Sequence, residues 1–238
     1  HPVAAILLGC GLGKTSIALT AIDDMLHDTF EIRKVLVVAP IRVAKVSWPD
    51  EIQKWDHLSD LRYSVAVGTK EERLAALKAD AEVYIINREN LPWLIESTSF
   101  DYDMVVLDEL SSFKNWQSKR FRAFMKIRPR LKRVIGLTGT PSSNGLMDLF
   151  AEYRCLDMGE RLGRLIGQYR NAFFKPDRCN GPIVYSYKPL PGAEDEIYRR
   201  ISDITISMKS TDLLDMPELV SSEYLVSLND TEWENYEN

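Results

Sequence analysis

The sequence predicts an α/β domain built on a mainly parallel sheet with helices on both faces. Short apolar runs rich in β-branched residues alternate along the chain with segments of helical periodicity. The apolar runs lack the polar alternation of a half-exposed sheet, which is typical of strands that helices cover on both sides. At 238 residues, 45% of them hydrophobic and 27% charged, the chain has enough material to bury a sizeable core.

Six of these apolar runs are predicted strands, at 3–8, 34–39, 63–67, 82–87, 103–108 and 133–138. Helical periodicity or strong helix formers predict helices at 16–26, 46–55, 70–80, 118–127 and 146–154. After about residue 156 the pattern weakens, and a helix followed by a strand is predicted again within 193–210. The regular order of strand and helix predicts that consecutive strands run parallel.

Composition excludes several classes of protein. Three widely spaced cysteines without a Cys-x-x-Cys pair argue against a disulfide framework and a zinc site, and they favour a reducing compartment. No apolar run approaches the roughly 20 residues that span a bilayer. The net charge of −5 is uneven, because residues 194–238 carry 12 acids and 3 bases and leave residues 1–193 at +4. The eight Lys and Arg of 118–133 form either a solvated helix face or a patch for nucleic-acid phosphates.

A glycine-rich segment joins the first predicted strand to the first predicted helix. Glycines allow main-chain amides to approach phosphate oxygens, and the N-terminus of the helix attracts an anion. Lys14 supplies a positive charge for the β- and γ-phosphates, and Thr15 supplies a hydroxyl for Mg²⁺. A glycine-rich turn with a chance lysine is the alternative. The predicted nucleotide-binding residues are Gly9, Cys10, Gly11, Leu12, Gly13, Lys14, Thr15 and Ser16.

Two further strands end in polar residues. Asp108 and Glu109 follow a very apolar strand, where Asp108 would hold Mg²⁺ and Glu109 would orient or deprotonate the attacking water. The alternative for this acidic pair is a helix N-cap, since two serines follow it. The strand at 133–138 ends in Thr138, Gly139 and Thr140, which could connect the acidic site with a second ligand groove.

Five segments in this order make a specific combination. They read LGCGLGKTS, VLVVAPIRVAKVSWPDEIQKW, YIINRENLPWL, VVLDELSSFKN and IGLTGTPSSNGLMDLF. They resemble motifs I, Ia, Ib, II and III of the first RecA-like lobe of superfamily two helicase-like ATPases, and more narrowly those of the Swi/Snf branch with its phage and bacterial members. Leu8 departs from the usual motif I, and the box Asp-Glu-Leu-Ser departs from Asp-Glu-x-His, which bears on how motifs II and III communicate.

The resemblance implies an organisation of the chain. Residues 1–158 are expected to form the ATP-binding lobe, 159–216 a helical and loop extension of the same lobe, and 217–238 a connector toward a second RecA-like lobe. It implies ATP and Mg²⁺ as ligands, catalytic roles for Lys14, Asp108 and Glu109, and a coupling role for Thr138 and Thr140. It also implies a cytoplasmic location in a bacterial or phage-infected host cell. The expected partner is duplex DNA, bound through its backbone irrespective of sequence by residues that follow the strands: Pro40, Arg42, Asn87, Arg88, Thr138 and Gly139.

Three functions remain open at this point. The first is a DNA-dependent ATPase and translocase lobe that is weakly active alone, because the arginine finger of the family belongs to the second lobe. The second is a P-loop motor of another class, such as an AAA-type remodeller or a restriction-complex subunit. The third is an adaptor that keeps the fold without using nucleotide, against which Lys14, Asp108 and Glu109 argue. Trp48 and Trp55, seven residues apart, are interpreted as core residues on one helical face, with base stacking as the alternative.

Overall fold

The computed structural model describes residues 1–139, 145–181, 183–208 and residue 233. Its strands are β1 (Val3–Leu8), β2 (Val35–Ala39), β3 (Tyr63–Ala66), β4 (Val83–Asn87), β5 (Met104–Asp108), β6 (Arg133–Thr138), β7 (Phe174–Pro176), β8 (Cys179–Asn180), β9 (Ile183–Val184), β10 (Tyr187–Pro189) and β11 (Thr205–Met208). Its helices are α1 (Lys14–Asp23), α2 (Trp48–Lys54), α3 (Lys70–Leu77), α4 (Leu91–Ser97), α5 (Lys119–Ile127), α6 (Leu146–Asp157), α7 (Ile166–Phe173) and α8 (Ala193–Ile201). One π-helical turn extends α1 to residue 28, and another precedes α2 from residue 43.

Seven strands form one sheet in the order β11-β1-β6-β5-β2-β4-β3, and every pairing in it is parallel. The predicted mainly parallel sheet is therefore confirmed. Each of the six predicted strands is present, with its ends within one residue of the prediction. The small two-stranded pairs β7–β10 and β8–β9 are antiparallel and lie outside this sheet.

Alternate residues of the strands face two separate cores. In β2, Val35 and Val37 belong to the core under α1 and α2, whereas Leu36 and Val38 belong to the core on the opposite face. That second core includes buried residues of α4, α5, α6 and α8. Strands buried on both faces need apolar residues at every position, which is why their sequences lack polar alternation.

The helix and strand predicted within 193–210 are present as α8 and β11. Between residue 157 and α8 the chain forms α7 and the short antiparallel pairs, which the sequence does not predict. Strand β11 is an edge strand of the main sheet and pairs with β1 through Ala5 and Thr205. Exposed Ile206 and Met208 leave β11 without the apolar pattern of a covered strand. Thr140 and the predicted connector 217–238, apart from Trp233, lie outside the described residues. No helix among the described residues is long and apolar enough to cross a membrane.

Candidate nucleotide-binding site

The loop between β1 and α1 has the backbone of a phosphate-binding loop. Gly11 and Gly13 have φ angles of 82° and 73°, in the left-handed region that favours glycine. Gly13 is the N-cap of α1 and makes no side-chain cap, so the helix starts with free main-chain amides directed out of the loop. This geometry presents donors and the positive end of the helix dipole to an anion.

Lys14 lies at the centre of this loop. Its Nζ donates hydrogen bonds to the Leu8 carbonyl at 2.7 Å and to the Gly9 carbonyl at 3.1 Å. The ammonium is thus held against the tip of β1. Ser16 Oγ donates to the Gly13 carbonyl at 2.9 Å and closes the first turn of α1. A cavity of about 620 Å³ lies against the loop and is lined by Gly11, Leu12, Gly13, Lys14, Thr15, Ser16, Glu51, Lys54 and Trp55.

The tip of β6 lies beside this loop, because β6 pairs with β1 on one side and with β5 on the other. A Cβ atom at Gly139 would lie 3.6 Å from both Lys14 Nζ and the Leu8 carbonyl oxygen, and 3.8 Å from Cys10 Sγ. A methyl group added at Gly139 would therefore be in van der Waals contact with the loop. The parallel sheet brings the ends of β1, β5 and β6 to one edge, as the sequence predicts.

Asp108 ends β5 at this edge and is largely enclosed. Its Oδ2 accepts a hydrogen bond of 2.8 Å from the indole Nε1 of Trp48. Burial raises the pKa of Asp108, and the neighbouring Glu109 carboxylate adds to the increase. The Trp48 hydrogen bond and the positive charge of Lys14 oppose that increase. A cation bound beside Asp108 would therefore relieve an unfavourable environment for a carboxylate.

Glu109 adopts a left-handed backbone, with φ 64° and ψ 66°, although it is not a glycine. A non-glycine residue in this left-handed backbone region destabilises the fold, and such residues are concentrated at functional sites. Two hydroxyls, those of Thr138 at 2.9 Å and of Ser111, donate to Glu109 Oε1. The helix N-cap alternative is wrong, because Glu109 makes no side-chain cap for the short 3₁₀ turn that follows it.

These contacts join motifs II and III directly. Thr138 of β6 holds the Glu109 carboxylate, and Ser111, the residue in the box that departs from the usual histidine, holds the same oxygen. The structure thus shows how a serine box connects the acidic pair with the neighbouring strand.

The residues at this edge fit a nucleotide with Mg²⁺. Among the described residues no group of three His, Cys, Asp or Glu side chains could hold a metal. Mg²⁺ commonly uses only one or two protein oxygens, together with phosphates and water. Thr15 and Asp108 are the residues that would hold it, beside a loop whose amides and Lys14 suit phosphates.

The expected DNA-binding residues differ in accessibility. Arg42 is exposed, and Pro40 and Gly139 are half-buried. Asn87 is buried, and its side-chain amide bonds to Glu89 and Asn90, so a direct contact by this side chain is not supported. The same holds for Thr138, which is 1% exposed and bonded to Glu109.

Arg88 and the basic stretch are largely occupied by contacts within the chain. Arg88 donates to Glu89 at 2.9 Å. In the basic stretch, Arg128 is buried and donates to the carbonyls of Cys155 and Leu156, and Lys132 pairs with Asp103 at 2.9 Å. Others remain exposed, namely Lys119, Arg122, Lys126 and Arg130. The stretch therefore combines structural contacts with a solvated helix face.

Sequence reasoning missed two contributors to the site, Trp48 and Glu152. Trp48 is fully buried, as predicted for a core residue, but its contact with Asp108 spans 60 residues and leaves no local signal. The sequence identifies Ser111 as a departure from the usual box but does not show its hydrogen bond to Glu109. Glu152 of α6 is fully buried, and neither carboxylate oxygen has a hydrogen-bond partner among the described residues. Burial raises its pKa to about 7, with a further contribution from Asp148.

A parallel sheet that carries a glycine-rich loop after one strand, and an acidic pair at the end of a strand two positions away, defines a P-loop NTPase of RecA-like type. Within that class, the chain belongs to the SNF2-related domain family, which matches residues 6–159. It is a helicase-like ATPase domain of that family, and the predicted Swi/Snf resemblance is confirmed. This membership decides against the AAA-type alternative.

Individual relatives agree with this assignment. The chain is 36% identical to a putative protein p41 of Acyrthosiphon pisum secondary endosymbiont phage 1 over 228 residues, which cover 92% of the chain and 50% of the relative. It is 30% identical to a DNA repair and recombination protein RAD54-like of Drosophila ananassae, over 59% of the chain and 19% of that protein. The chain thus spans half the length of the phage relative.

The fold is similar to a solved structure of the Sulfolobus solfataricus SWI2/SNF2 ATPase core in complex with dsDNA. The TM-score is 0.69 and the sequence identity 25%, over 87% of this chain and 40% of that one.

Proposed function

We propose that the chain is the ATP-binding lobe of a DNA-dependent ATPase that moves on or remodels duplex DNA. The observation that carries this proposal is the meeting of the Lys14 loop with Asp108 and Glu109 at one sheet edge, in a chain of the SNF2-related family. The solved SWI2/SNF2 core in complex with dsDNA supports the choice of DNA as partner.

The loop would bind the triphosphate. Lys14 and Thr15, the first two residues of α1, line the cavity beside the loop. Mg²⁺, when bound, supplies positive charge to the β- and γ-phosphates, and Thr15 and Asp108 would hold it. Transfer of the phosphoryl group to water depends mostly on positioning and on charge stabilisation.

Glu109 would act on the attacking water. Two hydroxyl groups donate hydrogen bonds to its Oε1 atom and hold the carboxylate in place. Its Oε2 atom would accept a hydrogen bond from that water or take its proton. Because Thr138 of motif III is one of the donors, a shift of the β6 tip would move the catalytic carboxylate. This link is the route by which DNA contacts near Gly139 could alter hydrolysis.

DNA would approach the same edge of the sheet. Exposed Arg42, after β2, and half-buried Arg88, after β4, lie at neighbouring strand ends. Pro40 and Gly139 would contribute main-chain groups. Contacts of this kind address phosphates, so binding should be independent of sequence and should weaken as salt increases.

Efficient turnover would require a second RecA-like lobe. In related NTPases an arginine finger contributes roughly 10³- to 10⁵-fold to the rate. We therefore expect this lobe alone to bind nucleotide and to hydrolyse it slowly.

The test compares ATP hydrolysis by the full-length protein with and without duplex DNA of two unrelated sequences. Stimulation by both duplexes, reduced at higher salt, is the expected result. Hydrolysis that duplex DNA leaves unchanged would contradict the DNA-dependent function. Turnover by this lobe alone at the full-length rate would contradict the need for a second lobe.

A further inference from the structure

The outer face of α5 carries positive charges that lack acidic partners. Lys119, Arg122 and Lys126 are exposed, and their spacing of three and four residues places them on one side of the helix. The opposite side, which includes Phe121 and Phe124, is buried in the core. None of the three cations forms an ion pair with a carboxylate of the described part of the chain. We call these three residues the α5 basic face.

The exposed cations of another amphipathic helix, α8, are compensated within the fold. There Arg199 and Arg200 both pair with Glu196, at 2.8 and 2.7 Å. On α4, which packs beside α5, Glu96 is exposed, yet it forms no ion pair within the described residues. The chain as a whole has a net charge of −5, so acids are not scarce. The α5 basic face therefore keeps its positive potential in a chain that neutralises the arginines of α8.

The α5 basic face continues the positive surface at the ends of the strands. Arg88, after β4, and Arg120, in the first turn of α5, share one carboxylate: Glu89 Oε1 lies 2.9 Å from Arg88 Nε and 3.6 Å from Arg120 Nη2. Two guanidinium groups on one carboxylate leave a net positive charge. Arg120 also donates a hydrogen bond of 3.1 Å to the Ser112 carbonyl, which ties the start of α5 to the turn after β5. Lys119 therefore begins the basic face beside the edge where DNA is expected.

The length of the α5 basic face suits a nucleic-acid backbone. Lys119 and Lys126 are seven residues apart, about 10 Å along the helix at 1.5 Å per residue. One strand of a duplex carries a phosphate for about every 3.4 Å of its axis, so about three phosphates match this length. A row of cations would also attract an acidic protein surface. Continuity with the strand ends, where the proposed function places DNA, favours the nucleic acid.

We propose that the α5 basic face is an additional contact for the backbone of duplex DNA, beyond the strand ends of the sheet. This inference rests on the proposed function, because it extends the surface to which that function assigns the duplex. Lys119, Arg122 and Lys126 would each neutralise a phosphate, and Arg88 and Arg120 would connect them with the sheet edge. Phosphate contacts carry no sequence information, so the face adds affinity and orients the duplex on the lobe.

The test measures the dissociation constant of the full-length protein for labelled duplex DNA by fluorescence anisotropy, from about 50 to 200 mM salt. The triple variant Lys119→Gln, Arg122→Gln and Lys126→Gln removes the α5 basic face. Each phosphate contact contributes about 0.9 to the slope of log affinity against log salt, so the slope should become shallower by about 2 to 3. Near 100 mM salt the affinity should fall roughly 10- to 100-fold, equally for two unrelated sequences.

A matched control removes the same charge elsewhere. It substitutes three exposed cations outside α5, namely Arg33→Gln, Lys78→Gln and Arg199→Gln. Because these positions lie before β2, after α3 and on α8, the control variant should keep the wild-type salt slope. Binding to polyglutamate, measured in parallel, serves as the probe for an acidic protein surface. Thermal unfolding of both triple variants verifies that the fold is retained.

The outcomes separate this inference from the proposed function. If duplex DNA neither binds wild type nor stimulates its ATP hydrolysis, the proposed function fails, and the inference fails with it. If wild type binds and responds to DNA and the α5 variant has the same salt slope, only the inference is overturned. Equal changes in both triple variants would also overturn it, because net charge would then explain them. So would an α5 variant that keeps its DNA affinity and loses only polyglutamate binding, since the face would then serve an acidic protein.

Discussion

The two edges of the sheet carry cavities of nearly equal volume, but the acidic residues of the two edges differ in their electrostatic environment. The cavity at the amino edge measures about 630 Å³, against about 620 Å³ for the cavity beside the phosphate-binding loop. At the amino edge nearly every charge has an opposite partner. The ion pairs there are Arg62 with Asp80 and Glu82, Lys34 with Asp101, and Asp103 with Arg33 and Lys132.

This ion pairing lowers the pKa values of the acids Glu82 and Asp103 at the amino edge. Burial acts to raise the pKa of Glu82, but hydrogen bonds from Arg62 and His27 prevail and lower it. The pKa of Asp103 is lowered in the same way, by Lys132 and Arg33 against the effect of burial. These carboxylates already have basic partners within the chain, so an additional cation would stabilise them little.

The acids Asp108 and Glu109 at the carboxyl edge, and Glu152 of α6, differ from these. Burial raises the pKa of Asp108, the backbone of Glu109 is left-handed, and both oxygens of Glu152 lack partners among the described residues. The groups that the fold leaves in an unfavourable environment therefore identify the functional edge.

The largest effect is expected from Lys14→Ala. Loss of the ammonium removes a charge from both the bound phosphates and the transition state, so kcat/KM for ATP hydrolysis by the full-length protein should fall roughly 10³- to 10⁵-fold. Lys34→Ala, at the amino edge, should leave kcat/KM within about twofold of the wild-type value. Steady-state kinetics with duplex DNA measures both, and equal effects would remove the distinction between the edges.

Glu109→Gln should reduce kcat roughly 10²- to 10⁴-fold and leave nucleotide affinity nearly unchanged, because the amide keeps the size of the side chain but cannot accept a proton. Glu82→Gln is the matched change at the amino edge and should leave kcat unchanged. Parallel measurements of kcat and of the ATP dissociation constant test the pair. A loss of affinity equal to the loss of kcat in Glu109→Gln would contradict the assigned role.

Glu152→Gln should change the pH dependence of stability. The pKa of Glu152 is raised to about 7 in the fold, so its contribution to stability is complete below the unfolded value of 4.5 and is lost as pH rises through about 7. The glutamine side chain of the variant does not ionise, so the variant does not lose stability in this way. Above pH 7 its free energy of unfolding should exceed that of wild type by up to about 3 kcal/mol. Urea unfolding between pH 4.5 and 8 measures the difference, and a constant offset would contradict a protonated Glu152.

The smallest effect is expected from His27→Gln at the amino edge. A hydrogen bond that His27 donates to Asp23, and the proximity of Glu82, raise the pKa of His27 despite partial burial. Its stabilising contribution is therefore complete below pH 6.5 and is lost as pH rises through the folded value. Because the imidazole is 38% exposed, the loss should not exceed about 1 kcal/mol. Chemical unfolding at pH 5.5 and 8.5 should show the larger difference at the lower pH.

Much of the fold could be predicted because its signals are local. An apolar run such as Val3–Leu8 marks a buried strand wherever its partners lie, and the Gly11–Gly13–Lys14 spacing marks a phosphate-binding loop by its own backbone requirements. The order of motifs then predicted that Lys14 and Asp108 would share a sheet edge, since all parallel strands end there.

The tertiary structure alone decided how the site is held. The hydrogen bond from Trp48 to Asp108 and the one from Thr138 to Glu109 join residues 60 and 29 positions apart, and they depend on which strands are neighbours. Likewise, Trp48 and Trp55 are spaced as if they lay on one helical face, yet only Trp48 is buried. The reason is that α2 ends before Trp55, whose backbone is extended. Sequence fixes local conformation through backbone and burial preferences, whereas contacts between distant residues depend on how the elements pack.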